Sequence, residues 1–115
     1  MTAPRMTLQV QLVITEMLSD PAEPRYGLDI CEATGLSSGT IYPILARLER
    51  IKWVKSDWED PEAHIADGRP RRRYYQLTRE GAECAAEALQ AIQRARKNAI
   101  RAWHIPAPGT GGVIP

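Results

Sequence analysis

Residues Tyr26–Ile51 read YGLDICEATGLSSGTIYPILARLERI, and their order decides the fold. Tyr26 to Ala33 reads as a short helix with Leu28, Ile30, Cys31 and Ala33 on its buried side. Thr34-Gly35-Leu36 is a tight turn in which Gly35 supplies a left-handed residue. Ser37 is placed to cap a third helix running from Ser38 to about Ile51. A short helix, a turn containing Gly and a capped helix together form a helix-turn-helix. At about 100° per residue, Ile41, Leu45 and Leu48 share one narrow face, the core side. Gly39, Thr40, Pro43, Ala46, Arg47 and Arg50 lie opposite, with Ser38 and Tyr42 flanking. This outward side is small, polar or basic and holds no acid. Small residues let a helix sink into a groove, and hydroxyls and arginine reach base edges and phosphates. Pro43 removes one backbone bond to Gly39, so a local kink is expected.

Upstream, Leu8, Val10, Leu12, Val13, Ile14, Met17 and Leu18 form a broad apolar face at helical spacing. Thr7 can cap this first helix and Asp20-Pro21 stops it, giving roughly residues 7–19. Pro21 to Pro24 is a rigid turn. Downstream, Trp53 to Trp58 reads as a strand, with Val54, Ser56 and Trp58 pointing one way. Residues 59–70, EDPEAHIADGRP, read as a polar loop and mobile tip. Arg71 to Leu77 is the return strand, so a β-hairpin follows the helix-turn-helix, as a wing does. Thr78 then caps a last helix reaching about His104, with Glu80 and Glu83 favourable to its dipole. Ala85, Leu89, Ile92, Ala99 and Trp103 recur at spacings of three and four, broken by Arg96 and widened by Ala88, Ala95 and Ile100. About 25 helical residues span about 38 Å, more than a small winged domain covers, and a second copy is the expected partner. The tail from 105 to 115, rich in Pro and Gly, is expected to be disordered.

The 115 residues suit one folded unit, divided as a winged helix-turn-helix over 1–77, a dimerisation helix over 78–104 and the tail. Hydrophobic residues are 43% and charged residues 25%, which excludes general disorder. No apolar run approaches a membrane span, and the N-terminus lacks a signal-peptide core, so the expected place is the cytoplasm, on the nucleoid. Cys31 and Cys84 read as two buried small apolar residues in a reducing compartment. With His64 and His104 they show no ligand spacing, so neither metal nor cofactor is expected. A catalytic site is rejected, because there is no nucleophile with a base and no phosphate loop; Gly109-Thr110-Gly111-Gly112 follows no strand.

Net charge is +1, but it is unevenly placed. Residues 1–56 are neutral, residues 57–68 carry −5, and residues 69–115 carry +6. Two readings of the arginine cluster stay open on charge alone. It neutralises phosphates, or its members pair with the adjacent acids in a solvated hairpin.

Four blocks carry a resemblance: Tyr26 to Ile30, Ser38 to Glu49, Gly68 to Tyr75 and Leu77 to Gly81. Their strings, T-x-Y-P-x-L-x-R-L-E and R-R-Y-Y-x-L-T-x-x-G among them, make the chain similar to the PadR family of bacterial winged-helix transcriptional regulators, in its short subgroup with a single C-terminal helix. The resemblance implies a mainly α fold with a small β-hairpin, a winged helix-turn-helix and a long dimerisation helix. It implies a homodimer on a pseudo-palindromic operator in double-stranded DNA, with no membrane partner. By carry-over, Ser38, Gly39, Thr40, Tyr42, Pro43 and Arg47 lie at or near the major groove, and Tyr26 reaches a phosphate. Arg69, Arg71, Arg72 and Arg73 set the wing on adjacent phosphates or in the minor groove. The wing is long and acidic for such a role, and its acids oppose insertion. Leu8, Leu12, Leu89, Ile92, Ala99 and Trp103 are the expected dimer contacts. The family also implies repression, and release by a small aromatic or cationic effector that Trp103 would stack. The alternatives are a winged-helix module that binds a polypeptide and a metal-sensing winged-helix repressor.

Overall fold

A computed structural model describes residues 3–103. Helix α1, Leu8–Leu18, starts where the Thr7 hydroxyl accepts the Val10 N–H at 3.2 Å. Val10, Val13, Ile14 and Met17 turn inward at helical spacing and are buried, while Leu8 and Leu12 are exposed. A short strand β1, Arg25–Tyr26, precedes helix α2, Gly27–Thr34. Tyr26 is the N-cap residue of α2, and the Asp29 carboxylate accepts its N–H at 3.4 Å. Gly35 ends α2 at φ 76°, the left-handed value expected of it. Helix α3, Ser38–Arg50, runs through Pro43. Its Ile41, Leu45 and Leu48 are fully buried, as the spacing requires, and Ile44 joins them. Ser37 stands at the N-cap, but its hydroxyl donates to Thr40 Oγ1 at 3.3 Å and caps no backbone N–H.

Strand β2, Val54–Trp58, pairs antiparallel with strand β3, Arg73–Leu77, from Val54 opposite Leu77 to Trp58 opposite Arg73. Strand β1 pairs with the other edge of β3, so the hairpin becomes a three-stranded sheet in the order β1-β3-β2. The Arg25 guanidinium holds this edge to α1 through Glu16 at 2.6 Å.

The expected loop at 59–70 instead contains helix α4, Pro61–Asp67, and the return strand starts two residues later than expected. The start signal is Asp60-Pro61. The Asp60 carboxylate accepts the Glu62 N–H at 2.9 Å, and Pro61 takes the first helical position, where its missing N–H costs nothing. Gly68, at φ 65°, ends the helix.

Helix α5, Arg79–Trp103, is capped by Thr78, whose hydroxyl accepts the Gly81 N–H at 2.9 Å and donates to the Lys52 carbonyl at 2.8 Å. Only Gly81 and Ala85 of α5 are buried; Ala82, Ala88 and Leu89 pack partly on the core. Every residue from 93 to 103 is exposed. Cys31 is half-buried, but Cys84 lies exposed on α5, contrary to the expected burial. It falls at the edge of the face that α5 turns to the domain, lining an open cleft with Trp53 and Ala88. His104 and residues 105–115 lie outside the described residues. No helix of the described residues is long and apolar enough to cross a membrane.

Among the described glycines, Gly81 at the α5 junction has the least room for a side chain. A Cβ on Gly81 would stand 2.0 Å from the Trp53 carbonyl oxygen and 2.5 Å from its Cα. Backbone cannot yield as a flexible side chain can, so Gly81→Ala must push α5 off the Trp53 backbone that leads into β2. We expect a loss of about 3 kcal/mol in urea unfolding, at the upper end of overpacking costs.

Candidate nucleic-acid interface

The N-terminus of α2, the middle of α3 and the base of the wing converge on one groove of about 490 Å³. Tyr26, Leu28, Tyr42 and the run from Arg69 to Arg73 line it. Tyr42 reaches this groove because Gly27 has no side chain: a Cβ there would stand 2.5 Å from the Tyr42 ring. The Tyr42 ring also lies 6.4 Å from that of Tyr75 on β3, which joins α3 to the sheet.

Ser38, Gly39, Tyr42, Pro43 and Arg47 of α3 are exposed, and Thr40 is half-buried. Ala46 and Arg50 complete this outward surface. Arg47 and Arg50 make no ion pair among the described residues. The acid at the end of α3, Glu49, turns to the wing, where it accepts the Ser56 hydroxyl at 2.6 Å.

The arginines of the wing have separate environments. Arg69 is largely withdrawn, with its side chain 21% exposed. Its two terminal nitrogens donate to Glu59 at 2.5 and 2.9 Å, and Asp67 lies 3.2 Å away. Arg71 donates from Nε to the Glu59 carbonyl at 3.0 Å and lies over the Trp58 ring at 5.8 Å. Arg73 donates to Ser56 Oγ at 2.6 Å and sits between the Trp58 and Tyr75 rings. Arg72 is exposed, rests 5.0 Å over the Tyr26 ring and has no carboxylate partner for its guanidinium among the described residues. The cluster is therefore divided: Arg69 pairs with the adjacent acids Glu59 and Asp67, Arg73 meets Glu49 of α3, and the Arg72 guanidinium meets no carboxylate among the described residues.

Glu59 organises this region, and the sequence reading passed over it. Its side chain is 6% exposed, the buried charge of the described core. Besides Arg69, its carboxylate accepts the Arg72 N–H at 2.7 Å and the Tyr26 hydroxyl at 3.3 Å. Its own N–H donates to the Arg72 carbonyl at 2.8 Å. The bonded Arg69 guanidinium brings its pKa down from 4.5 to about 2, against the opposing effect of burial. Arg69 is raised by the same bond, and Tyr26 is raised chiefly by desolvation. The available signal was an acid just before Asp60-Pro61 with four arginines across the hairpin. Trp58, the shelf for Arg71 and Arg73, was read only as a strand residue.

The expected dimer contacts lie on α1 and α5. Leu8, Leu12, Ala99 and Trp103 are exposed, and Leu89 and Ile92 are half-buried. Trp103 is 87% exposed and Ile100 56%. Among the described residues no group of three His, Cys, Asp or Glu side chains could hold a metal ion.

The sequence signature of the Transcriptional regulator PadR-like family matches residues 14–87. Among solved structures, the chain is similar to a PadR family transcriptional regulator from Eggerthella lenta DSM 2243, at 22% identity and TM-score 0.66, over 84% of this chain and 86% of that one. It is similar to a PadR family transcription regulator from hypervirulent Clostridium difficile R20291, at 26% identity and TM-score 0.63, over 82% of this chain and 96% of that one. MepR, a transcription regulator of the Staphylococcus aureus multidrug efflux pump MepA, shares the fold at 19% identity and TM-score 0.63, over 87% of this chain and 67% of that one. No curated protein matches the chain in sequence.

A pH dependence follows from Glu59. Its folded pKa lies below its ordinary value, so its contribution is complete above about 4.5 and is lost as pH falls towards 2. Thermal melts should show wild type more stable than Glu59→Gln from pH 5 upward, with the gap in Tm closing across that acid window.

Proposed function

The chain belongs to the PadR-like family of transcriptional regulators, which bind DNA, and from that premise we propose that it is a homodimeric repressor reading a two-fold operator. One observation carries the reading: Tyr42, on the flank of the outward side of α3, shares a single groove with Tyr26 and Asp29 of the α2 start and with Arg69 to Arg73 of the wing, and the outer face of α3 itself holds no acid. In the proposed complex α3 enters the major groove through Ser38, Gly39, Thr40, Pro43 and Arg47. Small residues at 39 and 43 allow close approach, and the hydroxyls and Arg47 meet base edges or phosphates. Tyr26, Tyr42 and Arg72 flank the adjacent backbone. Arg71 and Arg73 lie on the same wing surface and extend its positive potential.

The long helix supports the dimer. Its exposed half carries Ile100 and Trp103, and Leu8 and Leu12 of α1 are also exposed. Burying a tryptophan removes roughly 150–250 Å² from water, about 4 kcal/mol or more before ordering costs. A second copy offers the same surface in return, and such a two-fold contact would set two α3 helices about one DNA turn apart. An effector that stacks on Trp103 would sit at that seam. Repression is the proposed sign because occupancy of a promoter needs no further contact.

Selection from a random duplex library, followed by anisotropy titration on the selected and a scrambled site, tests the reading. Arg72→Ala should weaken both sites alike and make the salt dependence shallower by about one phosphate per protomer. Thr40→Ala should cost about 1 kcal/mol on the selected site and almost nothing on the scrambled one. Equal losses on both would remove Thr40 from base reading. Wild type that ignores both duplexes at low salt would end the DNA reading.

Sedimentation equilibrium tests the dimer separately. Wild type should be dimeric at micromolar concentration. Ile92→Glu should be monomeric and lose about a hundredfold in operator affinity, the advantage of engaging two half-sites together. A monomeric wild type would overturn the two-fold arrangement.

A further inference from the structure

We propose that Glu59 is a positioning residue that clasps the wing to the N-terminus of α2, and that Arg69 acts through it and not on a phosphate. This inference rests on the DNA-binding reading above for its consequence, and on the free protein for its geometry. A carboxylate that is 6% exposed accepts four hydrogen bonds: two from Arg69, one from the Arg72 N–H and one from the Tyr26 hydroxyl. Those donors belong to the wing and to the N-cap residue of α2. Glu59 therefore bridges two elements that are separate in sequence, at the point where Tyr26 and Arg72 also stack at 5.0 Å.

The sign of the effect separates this role from plain electrostatics. Glu59 is an acid on a surface that must approach phosphates. If charge alone mattered, its removal would strengthen DNA binding and release Arg69 to the backbone. If it is the clasp, removal weakens binding, because Tyr26 and Arg72 lose their fixed relation. Glutamine has the same shape but turns one acceptor oxygen into a donor; Arg69 donates to both oxygens of Glu59, so the new amide opposes Arg69 whichever way it turns. Arg69→Lys is the complementary variant. It keeps the charge a phosphate would feel but loses the paired grip on Glu59.

The test combines amide hydrogen exchange on the free protein with duplex titration of wild type, E59Q, R69K and the double variant, each with its melting curve. Exchange at the Glu59 and Arg72 amides should accelerate in both single variants. Affinity for a random-sequence duplex at low salt should fall by about tenfold in each, with the double variant no worse than either single. Tighter or unchanged binding by E59Q overturns the proposal, as does unchanged exchange. Additive losses, or a wild-type R69K, would return Arg69 to the phosphates. Should E59Q not fold, R69K gives the same discrimination. A wild type that binds no duplex removes the DNA reading instead, and the exchange rates alone then decide whether the clasp exists.

Discussion

A helix of thirteen residues can bury only one side against a domain this small, and α3 gives that side wholly to the core. Ile41, Ile44, Leu45 and Leu48 pack with Val13, Ile14 and Met17 of α1, Ile30 of α2 and Val54 and Leu77 of the sheet, within one continuous cluster. Whatever faces outward must then be soluble without being held by neighbours. The residues found there are small, hydroxylic or basic, and Glu49 is bonded away to Ser56. The chemistry of the outer face follows from one-sided packing, because side chains that contribute nothing to the core are free to meet a partner.

How much of this could be read from the sequence depended on whether a signal was local. The α3 core face, Gly35 and the Thr78 cap are set by spacing and by single residues with one use, and all three stand as expected. Strand β1 was not legible, since two residues, Arg25 and Tyr26, carry no period and become a strand only by pairing with β3. Helix α4 was legible in principle. Asp60-Pro61 and Gly68 are start and stop signals, but seven residues with a polar composition resemble a loop until the Asp60 cap is seen. Cys84 was misplaced because cysteine is apolar by habit, whereas position on α5 decides its exposure. In the candidate interface, the arginine cluster was visible and its division among partners was not. That division needs the fold of the hairpin, which brings Glu59 opposite Arg69 and Arg72.

The same fold settles why an acidic segment can sit beside a basic one. The −5 of residues 57–68 is not a uniform repulsive tip. Glu59 points inward and is matched by Arg69; Asp67 also lies beside Arg69; Asp60 caps α4. Glu59 and Asp67 thus share the single charge of Arg69, and the Asp60 carboxylate is bonded to backbone. The α4 tip that meets water carries Asp60, Glu62 and Asp67, beside the exposed Ile65, while Asp57 lies on β2 opposite Tyr74. A wing built this way presents its positive surface at the base, near α2 and α3, and its negative end at the far side. A duplex lying along α3 would then meet the base first, which favours shallow contact with the backbone over deep insertion of the tip.

That division of charge also bears on why one protomer would not suffice. Of the four arginines in the wing, Arg69 is paired with Glu59, Arg73 is shared between Ser56 and Glu49, and Arg71 is bonded to the Glu59 carbonyl. Arg71, whose bond is to a neutral carbonyl, and Arg72, with Arg47 and Arg50 on α3, carry most of the charge left for phosphates. Each neutralised phosphate adds only a modest, salt-sensitive increment, so four such contacts make a weak site at physiological ionic strength. Joining two modules changes the arithmetic, because the second binds at the effective concentration set by the link and not by solution. A stiff helix longer than its own domain is a suitable link, since it fixes the separation of the two α3 helices where a flexible tether would spread it. On the proposed reading, the exposed half of α5 and the economy of free arginines answer the same requirement: few contacts per protomer, made effective by holding two copies at one spacing.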